Sequence, residues 1–139
     1  MNSVSLIRLF DLIKTGIYSG CAAIITDEAP TAHMMNQLSE KSLQHFRSVT
    51  VWNLSNEFAE HSLHGDTEML LVCGLEQCLP DSAAIHSART RLDIRRNSGM
   101  FSIMFLDQAT YKKHFCDTKQ PFYQFCDSVE EARVTDLTG

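Results

Sequence analysis

Glycine is scarce in this sequence, with six in 139 residues. No G-x-x-x-x-G-K-[ST], G-x-G-x-x-G or G-x-S-x-G pattern occurs, so no loop is built to cradle a triphosphate or a dinucleotide, and no strained turn presents a serine nucleophile. Lys14-Thr15-Gly16 is not a phosphate loop, because it precedes the first expected strand and lacks the glycines. Positive charge is also short. Twelve Lys and Arg against 17 Asp and Glu give a net charge of −5, which argues against nucleic acid as a partner. Long apolar runs are missing as well. Residues 1–16 have no basic leader, and Arg8, Asp11 and Lys14 interrupt their apolar residues; neither a signal peptide nor a membrane span is expected there. The five cysteines (Cys21, Cys73, Cys78, Cys116 and Cys126) are odd in number and show no paired spacing. Reduced thiols in a cytoplasmic, bacterial or other intracellular setting are expected, rather than a disulfide framework. Cys21 and Cys73 fall in expected core strands, while Cys78 and Cys116 are expected to be exposed.

What is present is a regular alternation. The organising stretch is Thr67 to Gln77, TEMLLVCGLEQ, where Met69 to Cys73 run without a charge and stop at Gly74. A short continuous apolar run closed by a turn residue predicts a strand buried on both faces, central in an α/β sheet. Cys21–Thr26 (CAAIIT), Val49–Leu54 (VTVWNL) and Met100–Leu106 (MFSIMFL) read as three more strands. Between them the spacing predicts helices over 4–14, 31–46, 56–63, from Asp81 or Ser82 through about Asn97, and from Asp107 through about Phe115. Residues 122–125 (FYQF) read as a short edge strand, residues 128–133 as a last helical turn, and 135–139 as a frayed tail. Strands alternating with helices predict βαβ units. The expectation is one α/β domain over 1–139, a three-layer αβα sandwich on a mostly parallel sheet of four to five strands.

Four constellations could carry chemistry. SARTRLDIRRNSG places Arg89, Arg91, Arg95 and Arg96 on one expected helix, in a stretch (86–119) holding seven Lys/Arg against three acids. Guanidinium groups grip phosphate or carboxylate in bidentate fashion. The alternative is a solvated face with local ion pairs, Arg89 with Asp93 among them. Asp27-Glu28 after the first strand and Glu76 after the central one are strand-end acids that could hold Mg²⁺ if they converge; they could equally serve as helix-end charges. Residues 56–66 carry Glu57, Glu60, His61 and His64 at helical spacing, without the His-Glu-x-x-His of metalloproteases. His114-x-Cys116-Asp117 holds nucleophile, base and acid types, but residues i and i+2 of a helix do not face each other.

Residues 69–76 (MLLVCGLE), then SARTRLDIRRNSG, then MFSIMFLD resemble, in order and spacing, the second half of an ATPase core of the AAA+ and STAND type. There a strand carrying the acidic Walker B motif is followed by an arginine-bearing helix and an apolar strand with a polar end. The resemblance covers roughly 68–125. It implies Glu76 as the Walker B acid and Asp107 as the polar strand end. Gly74-Leu75 displaces Glu76 from the strand, and the phosphate loop is missing, so the implied protein is a pseudo-NTPase that kept the scaffold and lost hydrolysis. The expected function is non-catalytic: a regulatory α/β module acting through a protein partner or self-association, with no cofactor and no metal. Glu76 and the four arginines are its expected contact residues. A nucleotide- or small-anion-binding sensor built on the Arg89–Arg96 helix is the alternative, and a Mg²⁺-dependent hydrolase or transferase using the strand-end acids a further one.

Overall fold

Five strands form one sheet in the order β2-β3-β4-β1-β5, and every pairing in it is parallel. The computed structural model describes residues 5–15, 20–54 and 67–138. In chain order the elements are α1 (Leu6–Lys14), β1 (Cys21–Thr26), α2 (Ala32–Ser42), β2 (Val49–Asn53), β3 (Met69–Cys73), a 3-10 turn (Leu75–Gln77), α3 (Ala83–Asn97), β4 (Phe101–Asp107), α4 (Gln108–Phe115), β5 (Ser128–Ala132) and α5 (Val134–Thr138). The helix expected over 56–63, and the acids and histidines in and beside it, lie outside the described residues.

The apolar runs explain the interior strands. β1 and β3 are buried at every position, and β4 at its five central ones. Side chains alternate between faces along a strand, so each of these runs feeds two cores. One gathers Ile24, Met69, Leu71, Ile103 and Phe105 with α1, α2 and α5. The other gathers Ala23, Leu70, Val72, Met104 and Leu106 with α3 and α4. The sheet order accounts for the split. From β1 the chain steps over β4 and β3 to reach the β2 edge, whereas from β3 and β4 it steps the other way. Right-handed crossovers in opposite directions place their helices on opposite faces. β3 is interior, between β2 and β4, and the middle position belongs to β4.

Local chemistry sets the helix ends. Ser5, Thr31, Ser82 and Asp107 each cap a helix by accepting from the backbone N–H three residues on. α3 closes on Gly99, whose φ of +76° is left-handed. The Met100 amide donates to the Arg95 carbonyl at 3.0 Å and the Gly99 amide to that of Arg96 at 3.2 Å, as in a Schellman ending.

The C-terminal stretch departs from the sequence expectation. Residues 121–124 form turns, and Gln124 has a left-handed φ of +51°. Phe122 and Phe125 point inward rather than alternating across a sheet. The fifth strand is Ser128–Ala132, where a helical turn was expected. Its pairing with β1, from Ala22↔Ser128 to Thr26↔Ala132, overrides the helix preference of Glu130 and Glu131. Val134–Thr138 is a helix instead of a frayed tail, held by Leu137, which is buried in the α1–α2 core. Cys78, expected at the surface, is buried under the Gly74 turn, while Cys116 is exposed.

Candidate functional site

In a parallel sheet, ligands gather beyond the carboxyl ends of the strands where neighbouring connections leave on opposite faces. Here that point lies between β1 and β4. Asp27-Glu28 follow β1, Gly74-Leu75-Glu76 follow β3, and Asp107 ends β4. Gly74, at φ +91°, turns the chain into the 3-10 segment that carries Glu76.

Glu76 and Asp107 are brought together. Burial pushes the Glu76 carboxyl above the usual glutamate range; the Asp107 charge adds to the shift, and the backbone amides of Glu76, Asp107 and Gly74 oppose it. Its Oε1 is buried without a hydrogen-bond partner. Next to it, burial and the Glu76 charge push the Cys73 thiol up to about 11. Asp107 is held by its own helix: Oδ1 accepts from the Thr110 amide at 2.9 Å.

Asp27 and Glu28 do not join this pair. Asp27 Oδ1 accepts from the Val134 amide at 2.8 Å, which anchors the start of α5. Glu28 is exposed, and its carbonyl takes the Thr26 hydroxyl. Among the described residues no group of three or more His, Cys, Asp or Glu is placed to hold a metal ion.

A glutamate whose folded pKa is raised destabilises the fold where it is ionised. The penalty is absent below the unfolded pKa and grows as pH rises through the folded one. Glu76→Gln should therefore raise stability at neutral pH, and the gain should shrink as both proteins are taken below the ordinary glutamate range. Urea denaturation at pH 7.5 and pH 4 checks this; a variant less stable than the parent at pH 7.5 would contradict it.

Two cavities open along the same edge. One of about 420 Å³ lies at the ends of β1 and β5 and the start of α4, lined by Ile25, Thr26, Asp27, Gln108, Glu131 and Arg133 among others. The other, about 140 Å³, lies at the ends of β2 and β3 and the start of α2, where Thr31, Asn36, Asn53 and Glu76 meet.

The arginine helix points its C-terminal end away from both cavities. α3 runs antiparallel to the strands, so Arg95 and Arg96 reach the amino edge of the sheet, opposite Glu76. Arg95 is only 3% exposed. Its guanidinium donates to Ser102 Oγ (2.9 Å) and to the carbonyls of Thr67 (2.8 Å) and Phe101 (2.6 Å), tying α3 to the starts of β3 and β4. Burial lowers its pKa to about 10, and it remains charged at neutral pH. Arg96 pairs with Asp127 at 3.1 Å and Asp93 at 3.3 Å, and lies 4.4 Å from the centre of the Phe125 ring. It therefore takes the Asp93 partner expected of Arg89. Gly20, with φ +66°, lets Arg96 pass, since a Cβ there would stand 2.5 Å from Arg96 Cγ. Arg89 is exposed, 5.7 Å from the Phe125 ring centre, and Arg91 is half-buried. Two of the four expected contact arginines are thus taken up within the fold.

The burial of His114 and the meeting of two cysteines carry no signal in the sequence. His114 is buried at the end of α4; burial, then the Lys113 charge, depress its pKa, against the carbonyls of Cys78 and Leu75. Cys21 and Cys126, 105 residues apart, stand with their Sγ atoms 3.7 Å from each other.

No protein family, curated protein or solved structure matches the chain. No helix among the described residues is long and apolar enough to cross a membrane.

Proposed function

We propose that this chain is a non-catalytic α/β module that docks electrostatically on a protein partner, another copy of itself included. The observation that carries this reading is the separation of exposed charge. Arg89 on α3, Lys112 and Lys113 on α4, and Lys119 just beyond are exposed. Asp27 and Glu28 are exposed beyond the end of β1, with Glu130 and Glu131 half-buried on β5, while Asp136 is paired with the exposed Arg133 at 3.3 Å. Opposed patches steer association and fix its register. The turn from β1 into α2 supports the non-catalytic part. It carries two exposed carboxylates and no glycine, so a phosphate approaching the α2 N-terminus would meet repulsion instead of a cradle.

The degenerate-NTPase reading belongs to the same proposal. The strand, arginine helix and strand of that resemblance fall on β3, α3 and β4, and Glu76 and Asp107 lie at neighbouring strand ends. A nucleotide or small-anion sensor is the weaker reading, because Arg95 and Arg96 already have internal partners. The acidic balance and five free cysteines suit a cytoplasmic module.

Sedimentation tests the proposal, on the protein alone and with poly-glutamate as an acidic probe, at about 0.05 M and about 0.5 M salt. Association should appear at low salt and fade at high salt. Arg89→Glu combined with Lys112→Glu and Lys113→Glu should weaken it by tenfold or more, about 1.4 kcal/mol. A protein that stays monomeric and ignores the probe at both salt concentrations would end the proposal.

A further inference from the structure

The cysteines of this chain look unpaired in the sequence, yet two of them meet at the amino edge of the sheet. Cys21 opens β1. Its amide donates to Asp127 Oδ2 at 3.1 Å, and its carbonyl accepts from the Asp127 amide at 2.9 Å. This double clamp fixes the residue before Asp127 against Cys21. The two Sγ atoms are 3.7 Å apart, and Met104 Sδ lies 3.9 Å from Cys126 Sγ. From this geometry we propose that Cys21 and Cys126 form an intramolecular disulfide when the protein meets a low-molecular-weight disulfide such as oxidised glutathione.

A disulfide needs the sulfurs about 2.05 Å apart. Starting from sulfur contact, the remaining approach is small enough for side-chain rotation and a slight shift of the 122–127 turn. The turn also gives access. Cys126 is half-buried, whereas Cys21 is only 2% exposed, and Tyr123 and Gln124 just before Cys126 are exposed. Cys126 is therefore the sulfur that an oxidant reaches first once the turn opens.

The reaction proceeds in two exchanges. Cys126 gives up its proton, and its thiolate attacks one sulfur of the oxidant. A mixed disulfide forms, and one glutathione thiolate leaves. Cys21, deprotonated in turn, attacks Cys126 Sγ, forms the Cys21–Cys126 bond and expels the second glutathione thiolate. The two protons end on the released thiols, so the protein loses two electrons and two protons and the oxidant gains both. In the closed state the hydrogen bond with Cys21, burial and the Asp127 charge keep the Cys126 thiol protonated, against Arg96. The first exchange is therefore tied to opening of the turn.

The bond would join residues 105 positions apart and lock down the turn that carries Phe125 and Asp127. Those two residues hold Arg96, beside the basic surface of α3. The inference rests on the sulfur geometry and stands apart from the partner-binding proposal.

The test treats the folded protein with oxidised glutathione, quenches it with N-ethylmaleimide in denaturant, and maps the unreduced peptides by mass. The expected product is two hydrogens lighter than the reduced protein, contains a Cys21–Cys126 linked peptide and melts several degrees higher. Cys116, exposed and outside this sulfur contact, should carry only a glutathione adduct, which Cys116→Ser removes. Cys126→Ser should abolish the link, and the parent map decides the matter whether or not that variant folds. Maleimide on both Cys21 and Cys126, a glutathione adduct that persists at Cys126, or a link from either residue to Cys73 or Cys78 would each overturn the proposal.

Discussion

Arg95→Ala should lower the unfolding free energy by about 3–5 kcal/mol, a large fraction of what a domain of this size has. The substitution removes a guanidinium that is almost wholly buried and already satisfied. Left behind are the carbonyls of Thr67 and Phe101 and the Ser102 hydroxyl, each deprived of a donor at the point where β3 and β4 begin. A buried acceptor without a donor costs about 1–3 kcal/mol, and the lost packing of the arginine stem adds to that. Arg95→Lys should rescue little, because a single ammonium cannot match the fork that reaches three acceptors at the starts of two strands. Equilibrium urea denaturation of both variants measures this. A loss below about 1 kcal/mol for Arg95→Ala would mean that water enters and replaces the guanidinium.

Arg95 also shows where sequence reading stops. An arginine within a run of four reads as surface, since buried guanidinium groups are rare unless paired. Its acceptors come from residues 67, 101 and 102, and only the assembled sheet brings them to the end of α3. The same limit hid Cys126 from Cys21. By contrast, CAAIIT, MLLVC and MFSIMFL were legible because interior parallel strands need apolar residues on both faces, a requirement written locally. The helix starts at Ser82 and Asp107 were legible for the same reason: a cap acts within four residues. SVEEA was not. On an edge strand half the side chains are wet, so two glutamates fit, and the strand state comes from its pairing with β1. The strand-end acids lie between these cases. Strand order put Glu76 and Asp107 at neighbouring ends, but nothing in the order showed that Asp27 would turn away to hold α5.

Phe122→Ala should cost a further large amount, about 3–5 kcal/mol, and should loosen the 122–127 turn as well. Phe122 is fully buried in a ladder of rings. Tyr111 stacks on Phe115 at 5.2 Å, Phe115 on Phe122 at 5.4 Å, and Phe122 meets Phe125 edge-on at 5.2 Å. Phe125 is the platform for Arg96 and, at longer range, for Arg89. The ladder thus connects the hydrophobic core under α4 to the basic surface of α3. Removing this inner ring opens a cavity and frees Phe125 to tilt, so the arginines lose their fixed geometry. Phe122→Leu keeps most of the volume and should cost much less, though it still lacks the ring contacts. Two readouts separate this from simple destabilisation. At a temperature where both variants remain folded, Phe122→Ala should alkylate faster at Cys126 than Phe122→Leu, because the 122–127 turn opens more often. It should also lose more of the low-salt association proposed above. If Phe122→Ala alkylates and associates like the parent protein, the ladder is packing alone, and the basic surface is positioned by the Arg96–Asp127 pair without it.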